Sequence, residues 1–379
     1  MAGYVFSIGA DNDIHAQKVV IKCVEDGVFS TFMATPKSRF ASGPYEGAFT
    51  DYLSMKEGDN VYFFCKRKYY GVGEIINVGD DCKYSNYPDS IVPVWPKYSD
   101  IKDKVLYDHN NESGNYKWLC TFKASPAFFI DGIDADDILR YKPETFKMLR
   151  AFWKISFIKL GEEENRSLKE IILLRHQEEL KTGTGIVRTK ASLHDRIRTK
   201  HLEEYLIRLQ PYLDTCCEGE KITHEMALEA ATVDTLVKGS SEVLGKWDYV
   251  SHQVIASPFK PVDYMDKIDV FAYNFLPDSK VPCKYLVAEL KRDAANVDTV
   301  DQVMKYIDWV CNEYTYGDYG AIVAFIIAYS FGDDVIEHVK MNIKRYYSYG
   351  IRPTRNRIWN NIKLVEYRYI DGEVKYTLK

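Results

Sequence analysis

Three charged residues in the C-terminal half of the chain have the types and spacing that phosphodiester hydrolysis requires. Asp269 stands at the start of one apolar segment, and Glu289 and Lys291 lie two residues apart in the next. Carboxylate oxygens suit Mg²⁺ or Mn²⁺, and such a cation acidifies water and offsets charge that develops on a phosphate. A neighbouring lysine can orient the attacking water or stabilise the pentacovalent phosphate. The sequence therefore predicts that Asp269 and Glu289 bind the metal and that Lys291 acts on the transition state.

A side-chain amide and a phenol follow at helical spacing. The apolar residues of 299–314 recur with a period of about 3.6 residues, which predicts a helix. Gln302 and Tyr306 are four residues apart in this segment, so they share one face of that helix. We expect both side chains to face the scissile phosphate or the attacking water.

Two predicted strands must bring the charged residues together. Residues 285–290 form a short apolar run with one acid in it, and 270–273 form a second run that begins after Asp269. The segment 274–283 between them contains two prolines, which is typical of a turn. If the strands pair side by side, Asp269 meets Glu289. Because side chains alternate along a strand, Glu289 and Lys291 share one face.

The five residues in this order resemble the PD-(D/E)xK nuclease superfamily, in particular its RecB-like branch, which carries a trailing Gln-x-x-x-Tyr. The resemblance covers roughly residues 192–328 and implies an αβββαβ core. It also implies catalytic roles for Asp269, Glu289, Lys291, Gln302 and Tyr306. A Glu-x-Lys pair by itself is common in proteins. Its alternative interpretation is a charge pair on an edge strand beside a solvated helix face.

The same superfamily expects a glutamate on a helix upstream of the aspartate. Ser192 is a suitable N-cap, and the pattern predicts a helix that continues through 202–209 and ends near Pro211. Glu203 flanks the apolar stripe of this helix, and Glu204 lies nearly opposite the stripe. Glu203 is therefore the expected glutamate, although other apolar residues blur the stripe and leave the choice open.

The segment 202–211 is also similar to the helix that opens the nuclease domain of the Shedu anti-phage defence proteins. This resemblance implies metal-dependent cleavage or nicking of DNA by a homo-oligomer, a tetramer or a dimer, that protects bacteria from phage. Two other functions stay open. One is a DNA-sensing module that does not cleave, and the other is a modification-dependent or mismatch-repair nuclease with the same core.

Two basic segments are candidates for contact with DNA. The first adjoins the expected catalytic helix and contains Arg196, Arg198 and Lys200. The second runs among tyrosines towards Trp359 and contains Lys344, Arg345, Arg352, Arg355 and Arg357. Interleaved basic and aromatic side chains suit phosphate contact and base stacking. The alternative for each segment is a solvated surface above core aromatics.

Composition limits the class of protein. The chain has 379 residues, enough for two or three domains. No apolar run approaches the roughly 18 residues of a membrane span, and no signal pattern is present at the N-terminus, so we expect a cytoplasmic protein without a membrane partner. Eight cysteines without a C-x-x-C pair predict reduced thiols rather than disulfides or a zinc site. The net charge of −5 argues against non-specific coating of DNA.

These patterns predict an α+β or α/β chain in three parts. Residues 1–140 are predicted to be a β-rich sensor or regulatory domain, with strands at 4–6, 19–21, 28–29 and 61–64. Residues 56–64 and 71–75 predict a hairpin with a Gly-Asp entry that resembles small PUA- or EVE-like barrels, which read nucleic-acid ends or modified bases; an interaction or oligomerisation domain is the alternative. Residues 141–185 are predicted to be a helical connector, with one helix opening at Ser167. Residues 186–379 are predicted to form a restriction-endonuclease-like αβββαβ nuclease domain.

Overall fold

The computed structural model describes residues 1–33, 35, 43–151, 157–200, 202–256 and 266–379. The chain divides into two compact units, Met1–Arg208 and Leu209–Lys379. Each unit combines helices with a β-sheet, so the protein is mixed α and β. Across these ranges, no helix is long and apolar enough to cross a membrane.

The first unit contains fifteen helices and strands in the described residues. In chain order they are β1 (Gly3–Ser7), α1 (Asp13–Asp26), β2 (Val28–Phe32), α2 (Gly43–Ser54), β3 (Asn60–Cys65), β4 (Lys68–Ile75), β5 (Lys83–Ser85), α3 (Tyr98–Ile101), β6 (Tyr116–Asp134), α4 (Ala135–Tyr141), β7 (Phe157–Leu160), α5 (Glu162–Arg175), α6 (Gln177–Thr182), β8 (Ile186–Val187) and α7 (Ser192–Arg198).

One eight-stranded sheet organises this unit. Its order is β2-β6-β4-β3-β1-β7, and β5 and β8 also pair with β6. β1 runs parallel to β3 and antiparallel to β7. Phe6 and Phe29 stack at 4.3 Å in its core, and Phe63 packs against both. The strands predicted at 4–6, 28–29 and 61–64 are confirmed as parts of β1, β2 and β3.

The strand predicted at 19–21 is wrong, because these residues lie inside α1. The side chain of Asn12 accepts a hydrogen bond from the backbone of His15 and caps the helix. Ala16, Val20 and Val24 are spaced by four residues and are buried on one face. This helical spacing outweighs the strand preference of a short β-branched run.

The predicted helical connector at 141–185 contains a strand. β7 pairs with β1, and Ile158 and Leu160 are buried there. The helix expected to open at Ser167 begins earlier, as α5, and Ser167 lies buried inside it. Part of the connector, residues 152–156, lies outside the described residues.

Residues 186–208 belong to the first unit, so the boundary falls after Arg208 rather than before residue 186. β8 adds to the edge of β6. Leu193, Ile197 and Tyr205 are buried in a cluster with Val28 and other core residues of this unit. The continuous helix predicted from Ser192 is also broken, because α7 ends at Arg198 and a separate 3-10 turn spans Leu202–Tyr205.

The second unit contains fourteen helices and strands in the described residues. They are α8 (Gln210–Cys216), β9 (Cys217–Glu218), β10 (Lys221–Ile222), α9 (Glu225–Lys238), β11 (Tyr249–Ile255), β12 (Lys267–Phe275), β13 (Pro282–Ala295), α10 (Val297–Glu313), β14 (Ile322–Phe331), α11 (Asp333–Asn342), β15 (Arg345–Tyr349), β16 (Arg355–Trp359), β17 (Ile362–Ile370) and β18 (Glu373–Leu378).

A six-stranded sheet of order β11-β12-β13-β14-β17-β18 organises this unit. β11, β12 and β13 form an antiparallel meander. β13, β14 and β17 then run parallel, with α10 as the connection from β13 to β14. α10 covers the sheet with a buried stripe that includes Val300, Val303, Ile307 and Val310. The predicted strands at 270–273 and 285–290 and the helix at 299–314 are confirmed.

Candidate active site

The antiparallel pairing of β12 with β13 brings Asp269 beside Glu289. Val270 pairs with Ala288, and the backbone N–H of Leu290 donates a 2.8 Å hydrogen bond to Oδ2 of Asp269. Glu289 is 1% exposed, although an acid is seldom buried without a full set of partners. Its Oε2 is buried, and no donor from the described residues reaches it. Two carboxyl groups therefore share a water-poor position in the middle of the sheet.

Lys291 lies on the same face as Glu289, as the alternation of the strand requires. Its Nζ donates to Oε1 of Glu289 at 2.8 Å and lies 3.9 Å from Oε1 of Glu225 on α9. Burial acts to lower the pKa of Lys291, but the carboxylates of Glu289 and Glu225 outweigh it and raise that pKa. The side chain is therefore a cation at neutral pH, suited to donating hydrogen bonds rather than to accepting a proton.

A third acid, Glu229, approaches from the buried face of α9. It is 2% exposed, and its Oε1 accepts from Nδ1 of His252 while its Oε2 accepts from Nε2 of Gln253, both at 2.6 Å. The same amide nitrogen of Gln253 lies 3.4 Å from Oδ1 of Asp269. Gln253 therefore links the helix acid to the strand acid and contacts the Asp269 oxygen that Leu290 does not bind.

The backbone of Gln253 has an uncommon conformation for its residue type. Its φ is 51°, in the left-handed region, although it lies within β11. His252 pairs with Val270 and Val254 pairs with Ile268, but Gln253 forms no such pair. For a residue other than glycine this conformation costs about 1–2 kcal/mol. The strained residue is the one that connects two carboxylates, and such local strain is often found at functional sites.

Like charges dominate the electrostatics of this site. Burial, followed by the charges of Glu289 and Glu229, raises the pKa of Asp269 well above its ordinary value. Burial also raises the pKa of Glu289, although the adjacent Lys291 acts in the opposite direction. The two carboxyl groups are close enough to share a hydrogen bond when one of them is protonated. A bound divalent cation would relieve the same repulsion and release that proton.

Gln302 and Tyr306 share one face of α10, and the carboxylates of the site affect the pKa of Tyr306. Nε2 of Gln302 donates to the hydroxyl of Tyr306 at 2.7 Å, as expected for side chains four residues apart. Burial raises the pKa of Tyr306 to about 12, and the charges of Glu289 and Asp269 contribute to this rise. The phenol is therefore neutral and close enough to the carboxylates to respond to their charge.

The glutamate expected on the upstream helix is not where the sequence analysis placed it. Glu203 lies in the 3-10 turn of the first unit, whereas Asp269, Glu289 and Lys291 lie in the second. Glu229 and Gln253 are the residues that the sequence analysis missed. One signal was available: Glu229 is a single acid in a run of small and apolar residues, 227–233, that reads as a buried helix face. Nothing in the sequence indicates the backbone conformation of Gln253.

The first basic segment belongs to the first unit, whereas Asp269, Glu289 and Lys291 belong to the second. Arg196 donates to the carbonyl of Leu106, Arg198 pairs with Asp195, and Lys200 approaches the carbonyl of Asp103 at 3.5 Å. The contacts of Arg196 and Lys200 attach α7 and the residues after it to their own unit, and the pair of Arg198 with Asp195 lies within α7. The helix expected to follow this segment and carry Glu203 is a separate 3-10 turn.

The second basic segment forms a hairpin of β15 and β16 in the second unit. Arg345 is committed to Asp308, with its Nε and Nη2 on the two carboxylate oxygens at 2.8 and 2.9 Å. The other cations of the segment are exposed: Lys344, Arg352, Arg355 and Arg357. Arg345 is therefore better assigned to holding the hairpin in place than to contacting DNA.

The donor set at Asp269 and Glu289 fits a hard divalent cation. No group of three or more His, Cys, Asp or Glu side chains is arranged around a common metal position in the described part of the chain. Mg²⁺ is commonly bound by one or two carboxylates and completes its coordination with water and substrate oxygens. The buried, unpartnered Oε2 of Glu289 is the structural observation that favours this fit.

Comparison with known proteins adds no family to this picture. No known protein family matches the chain, and no curated protein is similar enough to it to be a match.

Proposed function

We propose that the chain is a metal-dependent DNA endonuclease with a site of the PD-(D/E)xK type. One observation carries the proposal. The carboxyl groups of Asp269 and Glu289 lie side by side, and Oε2 of Glu289 is buried without a donor among the described residues. The ammonium of Lys291 lies 2.8 Å from the other oxygen of the same glutamate. Structural ion pairs have complementary charges, whereas an excess of buried negative charge suits cation binding.

The order of elements supports the same proposal. α9, β11, β12, β13, α10 and β14 follow one another as helix, three strands, helix and strand, the order that the resemblance implies. Glu229 lies on the first helix, Asp269 on the second strand, and Glu289 with Lys291 on the third. This assignment replaces Glu203 with Glu229 as the helix glutamate.

Each side chain has a role that its contacts support. Asp269 and Glu289 would hold Mg²⁺ or Mn²⁺, which when bound lowers the pKa of water and offsets the charge that develops on the phosphate. Lys291 remains cationic and donates hydrogen bonds to the attacking water or to a phosphate oxygen. Gln302 and the neutral Tyr306 offer further donors to the same phosphate. Glu229 and Gln253 position the carboxyl group of Asp269.

The wider biological role rests on resemblance. We propose that the nuclease acts as a homo-oligomer in anti-phage defence, as in the Shedu proteins, and that its N-terminal unit senses DNA ends or structure. Double-strand cleavage requires two sites of this kind, one for each strand. A tetramer or a dimer supplies them.

The testing experiment is cleavage of linear and closed-circular DNA in Mg²⁺, Mn²⁺ or EDTA by the wild type and Lys291→Ala. Lys305→Ala is the matched control, because it removes an exposed lysine from α10. We expect cleavage in either metal, none in EDTA, and a loss of about 10²–10³-fold or more in Lys291→Ala with DNA affinity retained. Full activity in Lys291→Ala, or cleavage in EDTA, would contradict the proposal.

A non-cleaving DNA sensor is the main alternative. The open choice of the upstream glutamate supports this alternative, and our proposal answers it by giving that place to Glu229. DNA binding by the wild type without cleavage on either substrate and in either metal would favour the sensor over the enzyme.

A further inference from the structure

The β15–β16 hairpin concentrates positive charge in a chain that is acidic as a whole. Residues 344–359 contain five lysines and arginines and no aspartate or glutamate, whereas the whole chain has a net charge of −5. Arg345 is neutralised by Asp308. Lys344, Arg352, Arg355 and Arg357 form no ion pair with any residue that the structure describes. The hairpin therefore presents uncompensated positive charge to solvent.

The base of the hairpin is attached firmly to the rest of its unit. Besides the bidentate pair of Arg345 with Asp308, the indole N–H of Trp359 donates to the carbonyl of Ile322 at 2.9 Å. The ring of Tyr319 packs against the rings of both Tyr347 and Trp359. These contacts fix one end of the hairpin, and residues 350–358 further along are exposed.

Strand pairing divides the hairpin into two different faces. Tyr347 pairs with Arg357 and Tyr349 with Arg355, so tyrosines and arginines alternate on one face, and the guanidinium of Arg357 lies 4.5 Å from the centre of the Tyr349 ring. Tyr346 pairs with Ile358 on the opposite face.

Large apolar side chains on and near that opposite face are exposed. Tyr346 is 74% exposed and Ile358 is 54% exposed, and Ile351 at the tip is 90% exposed. Single exposed apolar side chains are common, but several of them on and near one face of a hairpin form a patch of the kind that marks an interaction site. An exposed ring on one face, with cations at the tip and on the other face, matches the requirements of a flexible nucleotide chain, which offers apolar bases and anionic phosphates.

We propose that this hairpin binds single-stranded nucleic acid that passes around it, with a base stacked on Tyr346 on one face and phosphates of neighbouring nucleotides on Arg352 at the tip and on Arg355 and Arg357 of the other face. A duplex offers the same phosphates, but its bases are already stacked on each other and present no free face. An exposed tyrosine therefore gains most from unpaired nucleotides. This proposal rests on the proposed function in so far as it names the form of DNA that the enzyme engages, but its test requires no cleavage.

The test is binding of a labelled twenty-nucleotide poly-dT strand and of a mixed-sequence duplex of equal length, in EDTA, followed by fluorescence anisotropy. Tyr346→Phe retains the ring and Tyr346→Leu removes it, so the two variants separate stacking from apolar area. We expect the wild type and Tyr346→Phe to prefer the single strand. Tyr346→Leu should lose roughly 5- to 100-fold in affinity for it, the range for one base stacked on an aromatic ring.

The arginines are tested by salt titration of the same strand. Arg352→Ala/Arg355→Ala/Arg357→Ala should reduce the slope of log affinity against log salt by about 2, from about 0.7 per phosphate contact. Lys280→Ala, which removes an exposed lysine from the β12–β13 turn, is the control and should leave the slope unchanged.

Three results would overturn the proposal. The first is equal affinity of Tyr346→Leu and the wild type for the single strand. The second is a preference for the duplex. The third is a change in the mass of the DNA-free protein in Tyr346→Leu, measured by light scattering, because it would assign the exposed face to an interface between copies. EDTA prevents metal-dependent cleavage, so the binding assay is independent of the proposed nuclease site. A negative binding result would not contradict the nuclease site, and absence of cleavage would not contradict strand binding.

Discussion

The two units bury ionisable groups in opposite ways. In the first unit, the ammonium of Lys117 is buried among backbone carbonyls, 3.1 Å from that of Val92 and 2.5 Å from that of Val94, and lies 4.5 Å from the centre of the Trp95 ring. In the second unit, Asp269, Glu289 and Glu229 bring like charges together, and one oxygen of Glu289 is left without a donor from the described residues. The first arrangement surrounds a buried donor with acceptors, although burial lowers the pKa of Lys117 to about 7, whereas the second leaves a carboxylate oxygen without a donor from the described residues.

This difference separates a structural polar cluster from a functional one. Carbonyl dipoles and an aromatic face offset part of the cost of burying Lys117, and its hydrogen bonds attach the segment that carries Val92 and Val94 to β6. Adjacent carboxylates destabilise each other, and a fold retains them at a net cost when a ligand is to be bound there. Burial alone does not distinguish the two clusters; the signs of their neighbours do.

The largest effect on stability should follow the loss of Lys117. Lys117→Met retains an unbranched side chain but leaves buried carbonyls without their donor, so we expect the free energy of unfolding of the first unit to fall by about 2–4 kcal/mol. Denaturant unfolding followed by tryptophan fluorescence measures this change. A variant as stable as the wild type would mean that the carbonyl cluster contributes nothing to stability. It would contradict the structural role of Lys117.

The positioning residues should affect metal affinity next. Glu229→Gln and Gln253→Ala remove groups that hold the Asp269 carboxyl, and we expect each to weaken Mn²⁺ binding by about 10- to 100-fold. Isothermal titration calorimetry measures this affinity. Glu225→Gln is the control, since Glu225 is exposed and lies 3.9 Å from Lys291. Equal losses in all three variants would indicate that overall negative charge, rather than positioning, determines affinity.

Removal of one of the like charges should stabilise the metal-free protein. Asp269→Asn relieves repulsion, so we expect a gain of about 0.5–2 kcal/mol in EDTA at pH 8, together with loss of the stabilisation that Mn²⁺ confers on the wild type. Thermal unfolding with and without metal measures both. A destabilised variant in EDTA would mean that the carboxylate is a structural partner.

The pH dependence of this gain follows from the raised pKa of Asp269. A carboxyl group with a raised pKa in the folded state contributes most to stability below its ordinary pKa of about 3.9, and this contribution is lost as pH rises through the raised value. The advantage of Asp269→Asn should therefore disappear as the pH falls towards 4. An advantage that is constant across pH would contradict the assignment of repulsion as its cause.

The smallest effect is expected from the first basic segment. Arg196, Arg198 and Lys200 already contact groups of their own unit, and exposed pairs of this kind contribute about 0–1 kcal/mol. Replacement of all three by alanine should change affinity for DNA by less than about fivefold in the anisotropy assay. A larger loss would restore this segment as a DNA contact and locate binding in both units.

The strands and helix around Asp269, Glu289 and Gln302 were predictable because local patterns determine them. Alternation along β13 puts Glu289 and Lys291 on one face, and a four-residue interval puts Gln302 and Tyr306 on one face of α10. The helix glutamate was not predictable in the same way. Glu203 and Glu229 both lie on apolar helical patterns, and the choice between them depends on which sheet each helix packs against, which is a long-range property.

The helical assignment of the connector is confirmed in α5 and α6, but it is wrong at Phe157–Leu160 for a related reason. Phe157–Leu160 is a short apolar run that suits a buried helix or a strand equally well. It becomes a strand because β1 offers an open edge, and β1 lies at the far end of the unit in sequence. Local spacing therefore predicts elements whose own pattern is sufficient, and it misses strands that form by pairing with a strand distant in sequence.

The left-handed conformation of Gln253 has a consequence for which residues this position can accept. Asparagine enters that conformation more readily than glutamine, and glycine more readily still. Neither has the same reach: asparagine is one methylene shorter, and glycine has no amide at all. Nε2 of Gln253 spans from Oε2 of Glu229 at 2.6 Å to Oδ1 of Asp269 at 3.4 Å. Glutamine at position 253 therefore accepts backbone strain and reaches both carboxylates. Substitutions that relieve this strain should weaken the contacts with Glu229 and Asp269.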